Sequence, residues 1–203
     1  MTACTEPAVR DVIEAATLPP GIENSRSIGV FLGSFDPPHR GHVWLVQELL
    51  SHFDHCLLLI PKVHFSKQVI PGSNATFPQR LSMLEEIRKI APERIGTGLT
   101  NEVLFVRLDR MLRQRFPGTA IGFGMGDETW QRLCDSPAYY ARLGLEWTAE
   151  DAAGLESLRS RVFFFDRSAR TPDGIPVPET VRTISSSRVR EAVAALGSHG
   201  LDL

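Results

Sequence analysis

Apolar residues along this chain fall into two alternating patterns. Short continuous runs occur at 27–33 (Ile28, Val30, Phe31, Leu32), 55–61 ("HCLLLIP"), 119–126 ("TAIGFGMG") and 161–166 ("RVFFFD"). Such runs, bounded by turn formers, read as strands buried on both faces. Between them the apolar residues recur every three or four positions. Residues 41–53 carry Val43, Leu45, Val46, Leu49, Leu50 and Phe53, and residues 78–91 carry Leu81, Leu84, Ile87 and Ile90. That is helical spacing, and Pro78 suits a first turn. The same reading predicts helices over 102–116, 127–135, 149–159 and 186–196. The last has Val189, Ala192, Val193 and Leu196 on its inner face. A short helix over 6–17 is predicted to stop at "LPPG", and 62–77 and 167–183 read as loops rich in turn formers.

Continuous strands alternating with amphipathic helices predict an α/β fold, a Rossmann-like doubly wound parallel sheet covered on both faces. The pattern starts at residue 27, so 1–26 reads as an N-terminal extension and 27–203 as the domain. Ligands of such sheets bind beyond the carboxyl ends of the strands, at the crossover point. The three most unusual turns fall there: 33–42, 124–130 and 166–187.

Composition narrows the partners. The net charge is −2, which favours neither nucleic acid nor an anionic membrane, so any anion site is local. No apolar run approaches a membrane span, and the N-terminus has no signal-peptide core. Cys4, Cys56 and Cys134 are few and scattered, which fits a reducing cytoplasm and gives no zinc pattern. The expected location is cytoplasmic, and self-association is left open.

Two of the turns carry chemistry. In "GSFDPPHRGH" (33–42), Gly33 permits close backbone approach, and Pro37 and Pro38 stiffen the turn. His39 and His42 are three apart at the start of a helix, so both can face one point. A helix N-terminus attracts phosphate, and imidazoles add donors. Two histidines without a third ligand make a poor metal site, so none is expected. In "TISSSRVREAVAAL" (183–196), Ser185, Ser186 and Ser187 offer a cap and hydroxyl donors, with Arg188 and Arg190 nearby. Two anion sites suit a polyphosphate held across the sheet edge.

"GSFDPPHRGH" followed far downstream by "ISSSRVR" resembles the nucleotidyltransferases with the H-x-G-H signature. The chain is most similar to the nicotinate/nicotinamide mononucleotide adenylyltransferases, over roughly 27–196. The resemblance implies a nucleotidyltransferase-type fold and transfer of an adenylyl group from ATP, with Mg²⁺ riding on the triphosphate. The acceptor is a phosphomonoester, foremost nicotinate or nicotinamide mononucleotide, and pyrophosphate leaves. It implies that Gly33, Ser34 and Phe35 line the phosphates, with His39 and His42 on the triphosphate. Ser186, Ser187 and Arg190 then hold its outer phosphates, and Gly126 and Asp127 of "GMGDETW" sit at the ribose. His39, His42 and Arg190 are the residues implied in catalysis. Lys67 and Arg80 match basic positions of the family and, with Trp130 as a ring-stacking partner, are the acceptor residues implied.

The match is uneven. The S-Y-T-x-x-T-L stretch of bacterial nicotinate mononucleotide enzymes has no counterpart in "GLTNEVLFVRLDRML" (98–112), and the family's tail after the serine–arginine helix is absent. An adenylyl- or cytidylyltransferase for pantetheine phosphate or flavin mononucleotide therefore stays open. So does a nucleotide-binding protein without turnover.

Overall fold

The computed structural model of the chain describes residues 12–62, 75–167 and 174–198. The path is β1 (Glu14–Thr17), a 3₁₀ turn (Ile22–Asn24), β2 (Ser27–Leu32), α1 (Arg40–His52), β3 (His55–Pro61), α2 (Phe77–Arg88), β4 (Ile95–Thr100) and α3 (Phe105–Arg115). It continues through β5 (Ala120–Gly126), α4 (Asp127–Cys134), α5 (Ser136–Arg142), α6 (Ala149–Arg159), β6 (Val162–Asp166), β7 (Ile175–Pro176), α7 (Glu179–Arg182) and α8 (Ser186–Ser198).

The seven strands form one sheet in the order β1-β4-β3-β2-β5-β6-β7, parallel except for β1, which pairs antiparallel with β4. After β1 at one edge the chain enters the middle with β2, adds β3 and β4 toward β1, then crosses back to β5, β6 and β7 on the other side. β2 and β5 lie side by side in register, Val30 opposite Phe123 and Phe31 opposite Gly124. That seam is the switch point where a doubly wound sheet opens a crevice at its carboxyl ends.

Each face has its own core. On one, Val30, Leu57, Leu59, Ile121 and Phe123 pack under α3 and α6 through Leu108, Leu112, Leu155 and Leu158. On the other, Phe31, Cys56, Leu58 and Ile60 pack under α1 and α2 through Val46, Leu49, Leu84 and Ile87. Alternate residues of one strand thus feed opposite cores, which is why the strands read as unbroken apolar runs. No helix of the described residues is long and apolar enough to cross a membrane.

Several expectations are corrected. Where a helix was predicted up to residue 17, Glu14–Thr17 is an edge strand on β4. A short helix is marginal by itself, whereas β4 presents an unpaired edge of N–H and C=O groups that a neighbouring segment can satisfy. Val12 and Ile22 join the core beneath it. β4 itself, "IGTGLT", was not predicted, because its glycines and threonines make no apolar run. α3 begins at Phe105 rather than 102, since the Glu102 carboxylate turns back to accept from the N–H groups of Val103 and Leu104, both at 2.8 Å. The predicted loop 167–183 contains β7 and α7, and α5 was missed. The inner face assigned to the last helix is also wrong in part: Ala192 is exposed, and Val193 is 63% exposed.

Candidate active site

The β2–α1 turn lies at the carboxyl end of the central strand. Gly33 follows β2 and donates its N–H to the Leu59 carbonyl at 3.0 Å. The Phe35 ring lies where a side chain on residue 33 would project, 3.0 Å from the position of a Cβ, so any larger residue would press on that ring. Phe35 has φ 45°, in the left-handed region. For a non-glycine residue that costs on the order of 1 kcal/mol or more. Burial of its ring holds it there: Phe35 is 1% exposed and packs edge-on against Phe31 at 5.2 Å. The loop's side-chain bulk goes into the core and its backbone to the crevice.

The two histidines cap α1 reciprocally. His39 is the N-cap, and its Nδ1 accepts the Gly41 N–H at 3.1 Å, while Nδ1 of His42 accepts the His39 N–H at 3.0 Å. Imidazoles here perform the task that Ser or Thr with Glu or Gln perform in an ordinary capping box. Their rings lie 3.8 Å apart. A Cβ on residue 41 would stand 3.0 Å from the His39 ring, so a side chain there would crowd the ring that caps the helix. The caps also set the tautomer. A nitrogen that accepts a hydrogen bond bears no proton, so each neutral ring carries its N–H on Nε2. Burial, and then the nearby positive charge of Arg167, lower the pKa of His39 to about 4. It is a neutral donor at neutral pH, rather than the cation that phosphate-binding histidines suggest.

The second motif docks on the first. Ser185 takes the cap of α8, its Oγ accepting the Arg188 N–H at 3.3 Å. Ser186 Oγ donates to the Pro37 carbonyl at 2.8 Å. Arg190 donates through Nη1 to the Asp36 carbonyl and through Nη2 to Ser187 Oγ at 3.2 Å. Asp36 is buried at 5% exposure, and its carboxylate accepts the Ala75 N–H at 2.9 Å and faces Arg80 at 3.3 Å and Arg190 at 3.8 Å.

A small cavity of about 90 Å³ opens over the β2–β5 seam, lined by His39, Gly41, His42, Trp44, Gly126 and Arg167 among others. Gly126 closes β5 and is the N-cap of α4. Asp127 Oδ1 accepts the Arg167 N–H at 3.3 Å, tying the end of β5 to the end of β6.

The structure brings His39, His42 and Gly126 to one cavity, whose lining does not include Gly33, Ser34 or Phe35, and it docks Ser186 and Arg190 on Pro37 and Asp36 of the same β2–α1 turn, with Ser187 bonded to Arg190. It does not bring in Trp130, which stacks on Phe164 at 5.6 Å and packs on the core. Arg80 is also spent elsewhere. It is 6% exposed, with Nε on the Ala75 carbonyl at 2.7 Å and Nη1 on Ser34 O and Oγ at 3.4 and 3.3 Å. Lys67 lies outside the described residues. Asp36 and Arg167 were missed by the sequence reading. Asp36 stands inside "GSFDPPHRGH" but reads as a turn former, and Arg167 is a lone basic residue whose place is known only once β6 is set beside β5.

The model of the cytidylyltransferase-like family matches residues 30–192. A Bacillus licheniformis protein that carries the name of a nicotinate-nucleotide adenylyltransferase is 29% identical over 122 residues, covering 53% of this chain and 59% of that one. A phosphopantetheine adenylyltransferase of Neisseria meningitidis is 34% identical over 73 residues, 35% of this chain and 39% of its own length. The chain therefore spans well under two thirds of these curated relatives. In three dimensions it is similar to the Plasmodium falciparum nicotinic acid mononucleotide adenylyltransferase complexed with NaAD, with TM-score 0.52, 17% identity, and coverage of 82% of this chain and 83% of that one. At that identity the likeness is one of fold.

Proposed function

From the premise that this chain belongs to the cytidylyltransferase-like family, we propose that it transfers an adenylyl group from ATP to a phosphomonoester, foremost nicotinate or nicotinamide mononucleotide. The observation that carries this reading is the meeting of two anion-seeking helix starts, α1 with its histidine pair and α8 with Ser186, Ser187 and Arg190, at the switch point of the sheet.

In the reaction, an oxygen of the acceptor's phosphate forms a bond to the α-phosphorus while the bond from that phosphorus to the bridging oxygen breaks, and pyrophosphate leaves. The nucleophile arrives already anionic, so the chain supplies no base. It aligns two anions and disperses charge on the α-phosphate and the leaving group. The Nε2–H groups of His39 and His42 donate to phosphate oxygens without carrying a proton away. Arg190 and the start of α8 hold the outer phosphates, and Arg167 adds positive charge from the other side. Mg²⁺ bound to the nucleotide would supply further neutralisation of the phosphate charge. Among the described residues no group of three or more His, Cys, Asp or Glu is gathered for a metal. Cys56 and Cys134 are free thiols, in keeping with a cytoplasmic location.

The test is pyrophosphate release from ATP and from CTP with nicotinate mononucleotide, nicotinamide mononucleotide, phosphopantetheine and flavin mononucleotide. A site that hydrogen-bonds its substrate can reject an analogue by around 10⁴-fold. One pyridine mononucleotide with ATP should therefore stand out. Release with phosphopantetheine alone, in line with the second relative, replaces the acceptor; release with none of them ends the transferase reading.

A further inference from the structure

We infer that Asp36 is the positioning residue of this site: its buried carboxylate clamps Arg80 and Arg190, and so sets the loop and the arginine against which phosphate binds. The inference rests on the anion-binding reading above but not on turnover.

Three separate segments converge on this one side chain. The β2–α1 loop supplies Asp36 itself. The segment entering α2 supplies the Ala75 N–H at 2.9 Å and the Arg80 guanidinium at 3.3 Å. α8 supplies Arg190, at 3.8 Å from the carboxylate and hydrogen-bonded to the Asp36 carbonyl. The side chains of Asp36 and Arg80 are each 7% exposed, so this pair is shielded from water and from salt. Arg190 is 35% exposed and remains open to a ligand on its outer side.

The charges do not cancel. One carboxylate faces two guanidinium groups, which leaves one positive charge at the mouth. A buried carboxylate next to an anion site is, by charge alone, unfavourable for the anion. Its presence is explained by geometry: it fixes the fork of Arg190 and, through Arg80, the Ser34 backbone and hydroxyl. Arg80 then acts through the loop rather than on the acceptor. Lysine cannot replace it, because one ammonium cannot reach Ala75 O, Ser34 and Asp36 together in the planar fork geometry of a guanidinium.

The two explanations differ in sign for Asp36→Asn, which keeps the shape and the amide-accepting oxygen but removes the charge. The probe is inorganic pyrophosphate, binding to the full chain by calorimetry, so the result does not depend on identifying the acceptor. A clamp predicts binding weaker by roughly ten-fold, about 1.4 kcal/mol, and kcat, once an acceptor is known, lower by roughly 10²-fold. Tighter binding shows that Asp36 acts only as a nearby negative charge and overturns the clamp. Unchanged binding with a lowered Tm shows a purely structural role and also overturns it. Arg80→Lys should reproduce the weak binding, and the double variant should be little worse than either single one, since the pair acts as a unit. Fully additive losses count against the clamp. Failure of the wild-type chain to release pyrophosphate with any acceptor would remove the transferase reading and leave these binding results standing.

Discussion

Ser186 Oγ donates to the carbonyl of Pro37 at 2.8 Å across 149 residues of sequence. This contact seats the start of α8 on the turn that follows β2, so that two motifs from opposite ends of the domain become one surface. The Arg190–Asp36 contact repeats the connection one turn further along the helix. The start of α1 lines the cavity over the β2–β5 seam, and the start of α8 is docked on the turn that leads into it.

His42→Ala is expected to lower kcat far more than it weakens ATP binding. A donor aimed at charge that develops during the reaction is worth about 3–4 kcal/mol, or 10²–10³-fold in rate. Loss of the cap on the His39 N–H adds a stability cost on the order of 1 kcal/mol. Single-turnover rates beside equilibrium ATP binding separate the two effects, and an unchanged rate removes His42 from the chemistry.

Arg190→Lys is expected not to restore function. Lysine keeps the charge but has no fork to hold the Asp36 carbonyl, Ser187 Oγ and a phosphate oxygen together. The check is kcat/KM for ATP in the lysine variant beside Arg190→Ala: similar losses are expected, and parental activity in the lysine variant would assign Arg190 to the surface.

His39 is expected to stay neutral from pH 8 down to about pH 5. Its pKa is lowered to about 4, first by burial and then by Arg167. Since the native state resists a proton that the unfolded chain accepts below about 6.5, the unfolded state binds more protons between these values. Stability should therefore fall as pH drops from 6.5 toward 4 and level off below it. Nitrogen chemical shifts of the imidazole report the tautomer directly. They should show Nε2–H at neutral pH, and a midpoint near 6.5 would contradict the capping geometry.

Arg167→Gln is expected to weaken pyrophosphate binding and to raise the pKa of His39 part of the way back, because the larger cause, burial, remains. The same titration measures it. A His39 midpoint that does not move would mean that the Arg167 side chain points away from the cavity it lines.

Much of this was legible beforehand because it is local. Four strands and the helices between them follow from apolar runs and from spacing within single segments, and "GSFDPPHRGH" announces a phosphate-seeking helix start by its own composition. β1 and β4 were not legible. β4 has no apolar run, and the N-terminal segment becomes a strand only because β4 leaves an edge to be paired. The packing of Trp130 and Arg80 was not legible for a related reason. An aromatic ring and a guanidinium look like ligand-binding groups in a sequence, and only packing reveals that Phe164 and Asp36 already hold them.

By itself the sequence determined the alternation of strand and helix and the make-up of the two turns, since these depend on residues near one another along the chain. The tertiary structure alone decided that the two turns touch, that each histidine accepts a backbone N–H through Nδ1, and that a buried Asp36 faces two arginines from distant helices. Those facts depend on which backbone N–H each imidazole meets and on how much water reaches a carboxylate. Both are set by the three-dimensional packing of segments that lie up to 154 residues apart.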